Sequence, residues 1–185
     1  GNYCVMLEHG YLEFLTPLAS TPIGEELRDG IARYVGVHIG AFACADTANR
    51  YAELDSTGFK LRPLARLQRE VQDSCERTHT ARFTVARPQR GQFAEGRMQF
   101  LTHHTPELLW QPRYVAHPNG TLALSALFVA VQDVEEARHR YKAFLNRAPQ
   151  AGTNGTVLQL DYGDLMLMTE AAAQTCFAPA PVPSA

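Results

Sequence analysis

VHIGAFACADTANRYAEL, from Val37 to Leu54, is a strand that runs into an aspartate and then into a helix. LSALFVAVQDVEEARHRYKAFL, from Leu124 to Leu145, repeats the plan. In both stretches an apolar β-rich run ends at Asp46 or Asp133, whose short carboxylate suits a helix N-cap. The two aspartates lie 87 positions apart, and both helices carry Arg-Tyr, at Arg50-Tyr51 and Arg140-Tyr141. Glu136 follows Asp133 by three residues, as in a capping box. Val134, Ala137, Tyr141, Phe144 and Leu145 then recur at helical spacing.

Strands flank these units. Tyr3–Glu8 and Tyr11–Leu15 read as a hairpin turned at His9-Gly10 and ended by Pro17. Residues 20–34 read as a short helix capped by Ser20 or Thr21. Lys60–Val71 reads as a basic strand or ribbon, followed by strands at Ala81–Ala86 and Met98–Thr102. Thr156–Leu160 and Leu165–Met168 close the chain as a second hairpin, and its turn Tyr162-Gly163-Asp164-Leu165 echoes His9-Gly10-Tyr11-Leu12. The repeat predicts βαβββ units: an α+β fold with curved mixed sheets that form a cup. Residues 1–34 are then the second half of a first module plus a linker, with its strand and helix expected before Gly1. Residues 35–120 are a second module, 121–170 a third, and 171–185 a fraying tail.

Composition narrows the function. The 185 residues are 45% hydrophobic and 19% charged, which suits a globular protein with a real core. Seventeen Lys+Arg against nineteen Asp+Glu give a net charge of −2, so neither nucleic acid nor an anionic membrane is an expected partner. No apolar run reaches 18 residues. Cys4, Cys44, Cys75 and Cys176 form no C-x-x-C motif and read as reduced thiols of a cytoplasmic protein. There is no G-x-S-x-G, P-loop or G-x-G-x-x-G. The apolar strand at Leu122–Val131 implies an edge to be covered, hence a homodimer or paired modules.

Several polar residues stand out. Glu13 shares a strand face with Tyr11 and Leu15, and a carboxylate on such a face needs a partner if buried. His103 and His104 are adjacent at a strand end, so they point to opposite faces. Glu107 fits a helix start after Pro106, and His117 fits a structural turn in His117-Pro-Asn-Gly120. Trp110 is the single tryptophan. Arg62, Arg66 and Arg69 have the spacing of a solvated helical face and could alternatively clamp an anion.

Gly10-Tyr-Leu-Glu13-Phe-Leu, His103-His104-Thr-Pro-Glu107 followed by Trp110, and His117-Pro-Asn-Gly120 together resemble the glyoxalase-like branch of the vicinal oxygen chelate superfamily. The resemblance runs from near residue 2 to near residue 170. It implies βαβββ modules paired around a cup, where a divalent metal (Mn, Fe, Ni or Zn) is held or is absent. It implies Glu13 and His104 as metal ligands and catalytic groups, and His38 as a further ligand. The substrate-pocket walls would be Tyr11, Trp110 and His103. The implied activity is binding of a small oxygen-rich or aromatic molecule, with metal-dependent lyase, isomerase or dioxygenase chemistry. The alternative is a metal-free binding or sequestering protein of the bleomycin-resistance type, and a third reading is a structural, dimerising protein. Glu13 and His104 are expected to converge across the cup from equivalent strands.

Overall fold

Asp46 and Asp133 start their helices by satisfying backbone N–H groups that a helix leaves without partners. The Asp46 carboxylate accepts from the amides of Ala48 and Asn49 at 2.9 and 3.1 Å. That of Asp133 accepts from Glu135 and Glu136 at 2.9 and 3.0 Å. A computed structural model of the protein describes residues 1–18 and 20–178. These fold as ten strands and five α-helices, an α+β arrangement of mixed sheets.

The chain divides into two units. The first contains strands β3 (Ile39–Ala43), β4 (Ala65–Gln72), β5 (Thr78–Ala86) and β6 (Arg97–His103), with helix α2 (Thr47–Ser56) between β3 and β4. The second contains β7 (Ala126–Val131), α4 (Val134–Leu145), β8 (Pro149–Gly152), β9 (Gly155–Gln159) and β10 (Asp164–Thr169). Both are βαβββ. The sheet orders are β3-β6-β5-β4 and β7-β10-β9-β8, each with one parallel pair between its first and last strands in sequence. Neither sheet closes into a barrel.

The first unit also holds the hairpin of β1 (Asn2–Met6) and β2 (Tyr11–Leu15), a 3-10 turn at Pro106–Leu108 and the short helix α3 (Pro112–Val115). Gly10 takes φ +90° in the hairpin turn, a conformation that L side chains rarely adopt. Cross-strand pairs Cys4↔Glu13 and Met6↔Tyr11 put these four side chains on one face. The other face carries Tyr3, Val5, Leu12 and Phe14. Its pairs Val5↔Leu12 and Tyr3↔Phe14 match Leu158↔Leu165 and Thr156↔Leu167 in the β9–β10 hairpin. The latter four are buried, whereas Tyr3 and Phe14 are exposed.

In the first unit, α2 covers one side of the sheet. Thr47 is buried there, and its amide donates to Thr102 Oγ1 at 2.9 Å. Arg50 lies 4.6 Å from the Phe100 ring centre, and Phe100 packs on Phe42. Phe42, Phe100 and Thr102 therefore face the helix. Strand alternation sends Leu101 and His103 to the opposite side.

In the second unit, α4 buries Ala137, Tyr141, Phe144 and Leu145, the stripe predicted by its periodicity. Arg140 is held bidentately by Glu95 at 2.7 and 3.1 Å, and by Glu136 at 2.8 and 2.9 Å. Helix α1 (Pro22–Arg33) belongs to this unit and is capped by Thr21, whose side chain accepts from Gly24 N at 3.1 Å.

Two expectations are corrected. Arg66 and Arg69 do not form a helical face, because they lie on β4 and strand alternation separates them. The stretch from residue 171 is not wholly a tail: α5 (Glu170–Phe177) begins at Thr169, whose hydroxyl accepts from Ala172 N. The rest of the expected tail, from 179, lies outside the described residues. No described helix is long and apolar enough to cross a membrane. The four cysteines are free thiols.

The caps set a stability test. Asp46→Ala and Asp133→Ala should each lower the unfolding free energy by about 1 kcal/mol in urea titrations. An unchanged midpoint in both variants would refute the capping role.

Candidate functional site

The end of β6 sets the geometry. β5 pairs with it antiparallel, with Thr84 opposite Thr102 and Phe83 opposite His103. Thr102 is on the α2 side, so Thr84 and His104 are as well. His104 Nε2 lies 2.7 Å from Thr84 Oγ1, and His104 N donates to Arg82 O. His103 points the other way, toward the β1–β2 hairpin.

On that side His103 is enclosed by rings. Its ring centre is 4.9 Å from Trp110, 5.4 Å from Phe83 and 5.9 Å from Tyr11, each nearly edge-on. Such T-shaped contacts set a positive ring edge against a negative ring face. The corner is anchored to the hairpin through polar tips. Trp110 Nε1 donates to Leu7 O at 3.0 Å, and His117 Nε2 lies 2.5 Å from Met6 O. His117 is thus structural, as its turn suggested. Met6, Ala81 and Leu109 form the buried base of the corner.

Arg69 enters the same corner from β4. Its guanidinium carbon is 5.7 Å from the Phe83 ring centre. Its positive charge acts on the Cys4 thiol, partly offsetting the rise in pKa that burial imposes. Two buried nitrogens, His103 Nε2 and Arg69 Nε, have no hydrogen-bond partner among the described residues. Buried polar atoms are rarely left so, and each one asks for a reason.

Burial decides the charge states here. Burial, then the neighbouring Arg69 cation, then His104, lower the His103 pKa to about 4. The ring is therefore neutral at pH 7. Burial, with Glu13 and Cys4 adding, pushes the Tyr11 phenol up to about 12, so it stays protonated. Burial also raises the Cys4 thiol, which opposes thiolate formation.

The expected pocket walls Tyr11, Trp110 and His103 are thus brought together. The expected metal ligands are not. Glu13 lies on the hairpin face of Cys4 and Tyr11, and its exposed carboxylate accepts from Asn2 Nδ2 at 2.6 Å. His104 is on the opposite side of the β5–β6 pair. His38 belongs to the second unit, where its ring packs 4.4 Å from Tyr34 and against Gly30. Burial, then Arg33, lower its pKa.

Among the described residues no group of three or more His, Cys, Asp or Glu side chains is placed to hold a metal ion. His103 Nε2 is the one orphaned donor in the corner of a ligating type. The Arg69 cation beside it and the carbon rings around it are poor company for a divalent ion. The donor set does not fit the metal that the resemblance implies. Glu107 starts the turn at Pro106, as a helix-start carboxylate.

Arg69 is the residue that sequence reasoning left out of the site. The signal lay in period two: on a strand, Arg66 and Arg69 take opposite sides, and Arg69 pairs with Ala81 at the base of the corner.

A family profile described as a glyoxalase-like domain matches residues 1–145. No curated protein matches the chain significantly. Among solved structures, hypothetical protein SA1046 from S. aureus is similar at 8% identity and a TM-score of 0.32, covering 74% of this chain and 94% of that chain.

The neutral His103 predicts a pH dependence. Unfolded, the imidazole takes its proton near 6.5; folded, only near 4. Between these values the unfolded chain binds the extra proton, so stability rises with pH there. The contribution is complete above 6.5 and is lost as pH falls toward 4. Urea midpoints across this range should show that slope in the wild type and a flatter one in His103→Phe. Equal slopes would show that His103 titrates normally.

Proposed function

The chain belongs to the glyoxalase-like domain family, and from that premise we propose that it binds a small aromatic or oxygen-rich molecule. The binding is independent of a metal at Glu13 and His104. The site is the corner between the β1–β2 hairpin and the side of the β3-β6-β5-β4 sheet away from α2. The observation that carries this reading is the pair of buried, partnerless nitrogens, His103 Nε2 and Arg69 Nε, between aromatic walls. Ligand sites are mostly apolar, with a few convergent polar groups that fix orientation.

Each residue has a definite part. Phe83 and Trp110 provide flat apolar surface for a ring. Arg69, always charged, donates to a ligand oxygen. His103, neutral at pH 7, offers one further hydrogen bond without adding charge. Tyr11, edge-on to His103, forms the wall on the hairpin side. Glu13 lies at the exposed rim, on the face of Tyr11. Metal-dependent lyase, isomerase or dioxygenase chemistry would require a donor set on which the described residues do not converge. A homodimer would cover the free edge that β7 keeps in its sheet.

Trp110 is the single tryptophan, so its fluorescence reads the corner directly. Catechol, which has a ring and vicinal oxygens, and pyruvate, which has vicinal oxygens alone, are suitable probes. Saturable quenching by catechol or pyruvate in metal-free buffer is expected. Arg69→Gln and His103→Phe should each weaken it by about tenfold, the equivalent of 1.4 kcal/mol. Absence of saturation with both probes, or dependence on added divalent metal, would overturn the reading.

A further inference from the structure

The opposite side of the same sheet carries a second candidate site, independent of the aromatic corner. An open groove of about 640 Å³ lies beside the start of α2, and Arg66, Arg82, Thr84 and His104 are among the residues that line it. We propose that this groove binds a small polyoxygenated anion, a phosphate or a dicarboxylate.

The argument begins with strand register. Arg66 is opposite Thr84, and Gln68 is opposite Arg82. Arg66 and Arg82 are therefore diagonal neighbours on adjacent strands and on one face, a spacing of about 7–8 Å that long side chains readily bridge. That spacing lets two guanidinium groups close on one anion. Two cations this close repel each other, and proteins ordinarily relieve that with a carboxylate. Here neither guanidinium has a hydrogen-bond or ion-pair partner among the described residues. Arg50, Arg77, Arg138, Arg140 and Arg147 are all paired with carboxylates. Arg66 and Arg82, whose guanidinium groups are without such a partner among the described residues, line the same groove.

The rest of the lining completes an acceptor-seeking site. His104 Nε2 is engaged with Thr84 Oγ1, which fixes the ring and leaves its other nitrogen available. At the floor, Thr47 and Thr102 hydroxyls are 2.6 Å apart, and Thr102 donates onward to Cys44 O at 2.9 Å. The floor is therefore satisfied internally and does not compete for the arginines. Asp46, the carboxylate lining the groove, spends one oxygen on the amides of Ala48 and Asn49. Guanidinium groups recognise phosphate and carboxylate through paired N–H donors in a plane. The groove lies on the side of the sheet away from Trp110, so the two sites can be read separately.

The test uses the full chain and two named anions, inorganic phosphate and malonate, followed by NMR shifts of Thr84, Thr102 and His104 in low salt. Saturable shifts with phosphate, malonate or both support the site and state which anion it prefers. Arg66→Gln and Arg82→Gln keep a polar side chain and remove the charge and the paired N–H donors. Each should weaken binding at least about tenfold, and added salt should weaken it further. Arg69→Gln, on the other side of the sheet, should leave it unchanged. No saturable shift with either anion would overturn the proposal. So would binding that survives in the Arg66→Gln/Arg82→Gln double variant.

Discussion

The two-residue period of β6 governs this molecule. Phe100 and Thr102 lock the strand under α2, through Arg50 and Thr47. With those two fixed, Leu101 and His103 must face the other way. One residue further, His104 returns to the α2 side and meets Thr84. Two neighbouring histidines therefore serve two environments. One is dry and aromatic, beneath the hairpin; the other is open and basic, beside a helix start. A one-residue slip of β6 could put Thr102 among the rings and turn His103 toward α2.

The two environments treat polar groups differently. Beneath α2 the hydroxyls of Thr47 and Thr102 bond to each other and to backbone, so the buried polar atoms are satisfied. Beneath the hairpin, His103 and Arg69 each leave a buried nitrogen without a partner. Each such atom costs about 1–3 kcal/mol relative to a bonded one. A fold selected for stability alone would place an apolar side chain there. The proposed ligand would supply those partners; burial, then Arg69, keeps the His103 imidazole neutral. The Arg140 network in the second unit shows the contrast. There a half-buried cation is held by two carboxylates and nothing is left over.

Much of the fold was legible because local chemistry and tertiary structure agree. Asp46 and Asp133 cap helices in the sequence and in the structure, and the stripe Ala137, Tyr141, Phe144 and Leu145 is buried as its spacing requires. The βαβββ repeat follows from those two caps. Other features depend on contacts distant in sequence. The spacing of Arg62, Arg66 and Arg69 fits a helix as well as a strand, and only pairing with β5 decides between them. α5 lacks strong periodicity, and its Thr169 cap directly follows what reads as the closing strand Leu165–Met168. Tyr11, His103 and Trp110, which the resemblance groups together, do pack against one another. The expected convergence of Glu13 and His104 was not realised, because it assumed that equivalent strands present equivalent faces. Glu13 follows the face of Tyr11, and Tyr11 packs on His103 rather than His104. Arg69 was grouped with Arg62 and Arg66 because a single arginine in a basic run has no local mark that sets its face apart.

The separation of Glu13 and His103 from His104 can be measured directly by paramagnetic broadening. Mn²⁺ would be added stoichiometrically to the labelled full chain while the Glu13 carboxyl and both imidazole rings are observed. If the two histidines serve separate faces, the Glu13 and His104 signals will not broaden together as one set. Equal, simultaneous broadening of Glu13 and His104 at one equivalent of Mn²⁺ would place both on a single metal and contradict the arrangement described above.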